Sequence, residues 1–148
     1  MSDASFVVGV HGRAAIHYRD LSLDLETHTF LLCDEAEEEI RYAKGGKVLL
    51  ASCNDSIVEH VLSYFNDLDV EVGWRRPEGP TNHGNVDWGG RQQRVDADIA
   101  TGALVDAILL SMCDVVVCGS SNVMLYAAAL RPTMRIRVAR HLALVFGC

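Results

Sequence analysis

The sequence lacks the motifs that mark the commonest metal and nucleotide sites. Its five cysteines include no C-x-x-C pair, and no spacing of His, Cys and Asp is typical of a metal site. Neither the G-x-G-x-x-G fingerprint of dinucleotide-binding folds nor the G-x-x-x-x-G-K-[ST] phosphate loop occurs. We therefore expect no metal and no cofactor, and the sequence argues against ordinary NAD and ATP sites.

Positive charge and long apolar runs are also scarce. Asp and Glu outnumber Lys and Arg by 20 to 13, which gives a net charge of -7, so binding to nucleic acid is not expected. Charges interrupt every apolar stretch before the ~18 residues that a transmembrane helix needs. The N-terminus has neither the basic region nor the apolar run of a secretory signal. These features predict a cytoplasmic protein without a membrane partner.

The chain has enough apolar sequence for one folded domain. It has 148 residues, of which 49% are hydrophobic, and a core of that size does not depend on disulfides. Cys113 and Cys118 flank an apolar strand, and we interpret them as buried core thiols. No linker or repeat is visible, so residues 1–148 are predicted to form a single domain.

Strand-like and helix-like segments alternate along the chain. Short β-branched runs predict strands at 6–10, 47–53, 69–74, 114–118 and 134–138, the third of them near a sheet edge. Apolar residues at helical spacing predict helices at 25–43, at 96–112, after residue 55 and up to residue 130. This alternation predicts an α/β fold, a Rossmann-like three-layer sandwich with a mainly parallel sheet.

Two of these helices carry more specific expectations. Either Asn54 or Asp55 is expected to cap the second helix, whose apolar stripe includes Ile57, Val61 and Phe65. The first helix is rich in acidic residues between its apolar positions, and these are predicted to form its solvated face. They are Asp34, Glu35, Glu37, Glu38 and Glu39.

Three polar clusters follow predicted strands, and the carboxyl ends of parallel strands share one edge of a sheet. The clusters are His11-Gly12-Arg13, Ser52-Cys53-Asn54-Asp55 and Gly119-Ser120-Ser121-Asn122. Arg13 can hold a diphosphate through two parallel hydrogen bonds, and Gly12 lets the backbone approach a ligand. The third cluster leads into a helix whose N–H groups suit an anion, although an ordinary helix cap explains the same residues.

The order of these clusters resembles that of a known enzyme family. Val8-Gly9-Val10-His11-Gly12-Arg13 is similar to the V-H-x-R motif of the α1,6-, α1,2- and protein O-fucosyltransferase superfamily, which includes the bacterial nodulation fucosyltransferases. Residues 50–55 resemble the second motif of that family, a strand ending in a Ser/Thr-Asp stretch. Residues 105–122 resemble its third motif, an Asp before a leucine-rich helix, then a strand, then a Ser-Ser pair.

The resemblance implies a nucleotide-sugar site in the C-terminal, donor-binding half of a GT-B glycosyltransferase. Enzymes of this family are inverting, metal-independent and use GDP-fucose. By resemblance, Arg13 would hold the β-phosphate and help the leaving group depart, while His11 would contact the nucleotide. Asp106 would bind guanine or ribose, and Asp55 would support the pocket. The third cluster would hold the diphosphate, through Gly119, Ser120, Ser121 and Asn122.

The chain also departs from the family pattern. Ala14 and Ala15 follow Arg13 where relatives carry a second basic residue, and Asp20 is the nearest candidate for a catalytic carboxylate. The sequence starts at the first strand of the donor half, so the acceptor-binding half is expected to be absent or to belong to a partner subunit.

Several functions therefore stay open beside transfer of fucose to a glycan acceptor. The main alternative is a non-catalytic nucleotide or nucleotide-sugar binding module. Another Rossmann-like enzyme, such as an epimerase or hydrolase, is a further alternative. So is an interaction domain that pairs with another chain or forms a homo-oligomer.

Overall fold

The computed structural model describes residues 5–12, 25–52, 54–75, 97–119 and 122–139. Strands and helices alternate along these ranges, as the apolar periodicity predicted. The strands are β1 (Val7–His11), β2 (Lys47–Ala51), β3 (Val72–Trp74), β4 (Val115–Cys118) and β5 (Arg135–Val138). The helices are α1 (Leu25–Tyr42), α2 (Asp55–Asp67), α3 (Ala97–Ser111) and α4 (Asn122–Leu130).

All five strands form one parallel sheet in the order β3-β2-β1-β4-β5. The chain first moves outward from β1 through β2 to β3, then crosses back to the other side of β1 and continues through β4 to β5. The direction of winding therefore reverses between β1 and β4, which makes this pair the topological switch point of the sheet. The Rossmann-like α/β fold predicted from the sequence is confirmed, and so is the edge position of the third strand.

The two faces of the sheet carry separate apolar cores because alternate strand residues point to opposite faces. Val8 and Val10 of β1 lie in one core with the apolar stripes of α1 and α2. Val116 and Cys118 of β4 lie in the other, with residues of α3 and α4. Cys113 and Cys118 are buried, which confirms their interpretation as core thiols.

The third strand is shorter than predicted because α2 ends in a tight turn. Asp69 adopts a left-handed conformation with a φ of 56°, and the N–H of Val70 donates to the carbonyl oxygen of Phe65 at 3.0 Å. A turn of this kind satisfies the last carbonyls of a helix. The extended segment consequently begins at Val72 rather than at Asp69.

The prediction that all the acidic residues of α1 form a solvated face is wrong for two of them. Glu35 and Glu39 are buried. Arg137 of β5 pairs with both, its Nη1 lying 3.0 Å from Glu39 Oε1, and it also pairs with Glu38. Arg135 Nη2 lies 3.1 and 3.0 Å from the two oxygens of Glu39. Buried carboxylates need such partners, and here the partners come from the last strand described.

No helix in the described part of the chain is both long enough and apolar enough to cross a membrane.

Candidate functional site

The strand register brings the described residues of the three polar clusters to one edge of the sheet. His11, the last residue of β1, lies opposite Ala51 of β2 and opposite Cys118 of β4. Neighbouring strands are about 4.8 Å apart, so the segments that follow these three residues leave the sheet side by side. Two of these three strands, β1 and β4, form the switch point. Open α/β sheets bind their ligands at such a point.

His11 is buried at this edge and held by the neighbouring strand. Its Nδ1 lies 3.1 Å from the carbonyl oxygen of Ala51, which also accepts the backbone N–H of Gly12 at 3.2 Å. A carbonyl oxygen only accepts, so Nδ1 carries the proton in the neutral ring, and Nε2 is then the basic nitrogen. The ring is thereby fixed in orientation, which suits a residue that positions a ligand.

Gly12 has a packing role that the sequence did not suggest. A Cβ atom at this position would lie 2.6 Å from Cγ2 of Ile57, a fully buried residue in the first turn of α2. From the sequence alone, this glycine is expected to permit close approach of a ligand. The structure shows that it permits close approach of α2, which places the start of that helix against the end of β1.

The second cluster builds the start of α2. Asn54 is its cap: its Oδ1 accepts from the N–H of Ile57 at 3.1 Å, and its own N–H donates to Oγ of Ser52 at 3.2 Å. Of the two predicted caps the structure therefore selects Asn54. Asp55 is the first residue of the helix and is exposed, so its carboxylate is at the sheet edge without being part of the cap.

The third cluster follows β4 directly. Gly119 is buried, and Asn122 is the first residue of α4. The predicted site residues Arg13, Asp20, Ser120 and Ser121 lie outside the described residues, as does the side chain of Asn122. The structure therefore describes the strand ends that precede these residues and the helix starts that follow them.

Asp106 is held by Arg75, which is not among the site residues predicted from the sequence. Arg75 Nη2 donates to Asp106 Oδ1 at 3.0 Å and to the carbonyl oxygen of Gly102 at 3.2 Å. Burial raises the pKa of Asp106 above its ordinary value, and the Arg75 guanidinium partly opposes that shift. Arg75 directly follows β3, so it leaves the sheet at the same edge as the three clusters.

No family model, curated protein or solved structure matches the chain.

A signal for Arg75 was present in the sequence. Asp106 is an acidic residue within an otherwise apolar stretch of α3, and such a residue needs a cation when it is half-buried. A charged residue immediately after a predicted strand is the natural source of that cation. The pairing itself joins positions 31 residues apart, which no local pattern reveals.

Two concavities are formed by described residues. One of about 280 Å³ lies between the starts of α1 and α2 and is lined by Glu26, Thr29, Ser56 and His60. A wider one of about 630 Å³ lies at the end of α2 and the start of β3, at the opposite edge of the sheet from the polar clusters. Within the described ranges, no group of three or more His, Cys, Asp or Glu residues is placed to hold a metal ion.

Proposed function

We propose that the carboxyl edge of the sheet binds a nucleotide sugar, with its diphosphate at the switch point between β1 and β4. The observation that carries this proposal is the register of His11 with Ala51 and Cys118, which aligns the three strand ends that the polar clusters follow in the sequence. Diphosphate groups bind to strand ends of this kind through backbone N–H groups at helix starts. A local arginine suffices for this in a protein of net charge -7.

The proposed donor is GDP-fucose and the proposed reaction is inverting, metal-independent transfer of fucose. Breaking the bond between sugar and phosphate develops negative charge on the diphosphate, which Arg13 and the N–H groups around Ser120 and Ser121 would stabilise. Asp20 is the proposed base that takes the proton of the acceptor hydroxyl. The support for this reaction is the resemblance of the three motifs to those of the fucosyltransferases.

His11 and Asp106 would bind the nucleotide in this scheme. The fixed imidazole of His11 lies at the end of the central strand, beside the proposed diphosphate position. Asp106 would accept hydrogen bonds from guanine or ribose, while its Oδ1 also accepts a hydrogen bond from Arg75. Asp55 would support the pocket from the start of α2.

A binding module without transferase activity is the second candidate. The observation in its favour is that His11 and Asp106 both make hydrogen bonds within the protein, to Ala51 and Arg75. Both residues are positioned to bind, and neither has a proton-transfer role in the proposed reaction. The transferase and the binding module share one pocket. They differ only in whether the sugar is released from the diphosphate.

Thermal shift with GDP, GDP-fucose, UDP and NAD tests the shared pocket. A ligand present at 100 times its Kd stabilises a protein by about 2.7 kcal/mol, which corresponds to roughly 5–10 °C for a domain of this size. We expect GDP and GDP-fucose to give such a shift, and Arg13→Ala to weaken GDP binding by at least about tenfold through loss of charge-assisted hydrogen bonds.

Arg41→Ala is the matched control, because Arg41 is an exposed arginine whose ion pair in the described part of the chain is local, with Glu37 four residues away. It should respond to GDP as the wild type does. A wild type without any GDP response, or equal responses in the two variants, would refute the proposed pocket. Release of fucose from GDP-fucose, with and without acceptor glycans, then separates the enzyme from the binding module.

A further inference from the structure

The two layers of helices differ sharply in the character of their outer surfaces. α1 carries seven charged residues, whereas α4 has none and α3 has only Asp98 and Asp106. Helices that are apolar on all sides are normally buried. The layer formed by α3 and α4 therefore has the composition of an interior layer while lying on the outside of the described structure.

The exposed apolar side chains of α3 and α4 follow helical spacing, so they form faces. On α3 they lie four residues apart, and on α4 they occupy the side turned away from the sheet. Each is between 43% and 73% exposed. They are Leu104 and Ile108 on α3, Met112 directly after its last residue, and Leu125, Tyr126 and Leu130 on α4. Because α3 and α4 pack against each other, the two faces lie on the same helical layer, and together we call them the α3–α4 face.

The area of this face is that of one side of a protein interface. Taking about 200 Å² for a large apolar residue, the exposed fractions amount to roughly 700 Å². The largest apolar patch on a typical monomer is about 300–600 Å². One side of a standard interface buries about 800 Å².

Charge indicates which partner fits. The chain carries a net charge of -7, so two copies repel one another over most of their surfaces. The α3–α4 face has no charged side chain among its six residues, and two copies can approach there with the least repulsion. A two-fold axis through such a face joins identical patches, which is the commonest symmetry of soluble oligomers.

We propose that the α3–α4 face is the interface of a homodimer, in which the α3 and α4 helices of two copies pack against each other. The face lies on one side of the sheet, whereas the polar clusters lie at its carboxyl edge. The proposed dimer consequently leaves both nucleotide sites accessible, and its existence does not depend on the proposed function.

The oligomeric state of single-residue variants tests this proposal. Size-exclusion chromatography with light scattering should give the wild type twice the chain mass of 16.2 kDa. Ile108→Glu and Leu125→Glu each place like charges on both sides of the two-fold axis and should raise the dimer Kd by at least about 100-fold. The exposure of both positions means that the monomer can fold with either change, and circular dichroism checks this.

Tyr42→Glu is the matched control. Tyr42 is a large, exposed residue at the end of α1, on the opposite helical layer, and its replacement should leave the dimer intact. A monomeric wild type would overturn the proposal, and so would a dimer that Ile108→Glu and Leu125→Glu weaken no more than Tyr42→Glu. Flotation of the wild type with neutral lipid vesicles, lost in Leu125→Glu, would overturn it in favour of a membrane partner.

Discussion

Replacing Gly12 with alanine should destabilise the protein through a clash with one side chain. The new Cβ would lie 2.6 Å from Ile57 Cγ2, whereas carbon atoms in contact prefer about 3.5–4.0 Å. Ile57 is β-branched, fully buried and in the first turn of a helix, where one χ1 rotamer is strongly preferred, so its side chain does not move aside easily. About 1 Å must therefore be gained by separating α2 from the end of β1.

The expected cost follows from overpacking of protein cores. Inserting a methyl group into a well-packed site costs about 1–3 kcal/mol. At about 2–4 °C per kcal/mol for a domain of this size, the melting temperature should fall by roughly 2–12 °C. Urea unfolding followed by circular dichroism measures the change in the free energy of unfolding.

A double-mutant cycle tests whether Ile57 is the cause. Ile57→Ala alone should cost about 2–5 kcal/mol because it empties a buried site. In the double variant the alanine at position 12 occupies part of that space. The double variant should therefore be destabilised by about 1–2 kcal/mol less than the sum of the two single variants. Strict additivity would refute the argument.

Gly102→Ala is the control, because it is the same substitution with the opposite expected sign. Among the described residues outside its own helix backbone, its Cβ would meet only Arg75 Nη2, at 3.5 Å, an ordinary contact. Alanine is favoured over glycine at such a position by up to about 1 kcal/mol. A Gly12→Ala variant as stable as Gly102→Ala would also contradict the reasoning.

Two further predictions concern titratable groups. Since burial raises the pKa of Asp106, its carboxyl holds a proton more tightly in the folded than in the unfolded chain, and this contribution to stability falls as pH rises through the folded pKa. We therefore expect the melting temperature of Asp106→Asn minus that of the wild type to be higher at neutral pH than at mildly acidic pH. If this difference is equal or lower at neutral pH, the prediction is contradicted. Burial raises the pKa of Cys33 and Cys118 to about 12 and that of Cys113 to about 11. A variant with Cys53→Ser and Cys148→Ser should thus show three thiols to a disulfide reagent only after unfolding, and a fast-reacting thiol in the native state would refute this.

Most of the fold could be predicted because its signals are local. Apolar runs such as Val115–Cys118 and helical stripes such as Ile57, Val61 and Phe65 need only their own spacing to be interpreted. The burial of Glu39 could not be predicted in this way. Its partners on β5 are 96 and 98 residues away, and only the folded sheet brings them beneath α1.

The candidate site was predictable at the level of strand ends and less so at the level of roles. A parallel sheet requires its carboxyl ends to share an edge, so the alignment of the three clusters followed from the fold class. The role of Gly12 did not, since glycine permits approach by a ligand or by a helix equally well. Only the position of Ile57 decides between them in the structure.

The central position of β1 has a consequence for the order in which the protein is made. The N–H of Val7 donates to Asp114 Oδ2 at 2.7 Å, across 107 residues. A growing chain that has emerged only as far as β3 can pair β1 with β2, but it leaves the other side of β1 as an open edge. Open edges are templates for aggregation. The second side of β1 and the switch-point crevice are therefore closed together, when β4 emerges, and folding of the first half is most vulnerable until then.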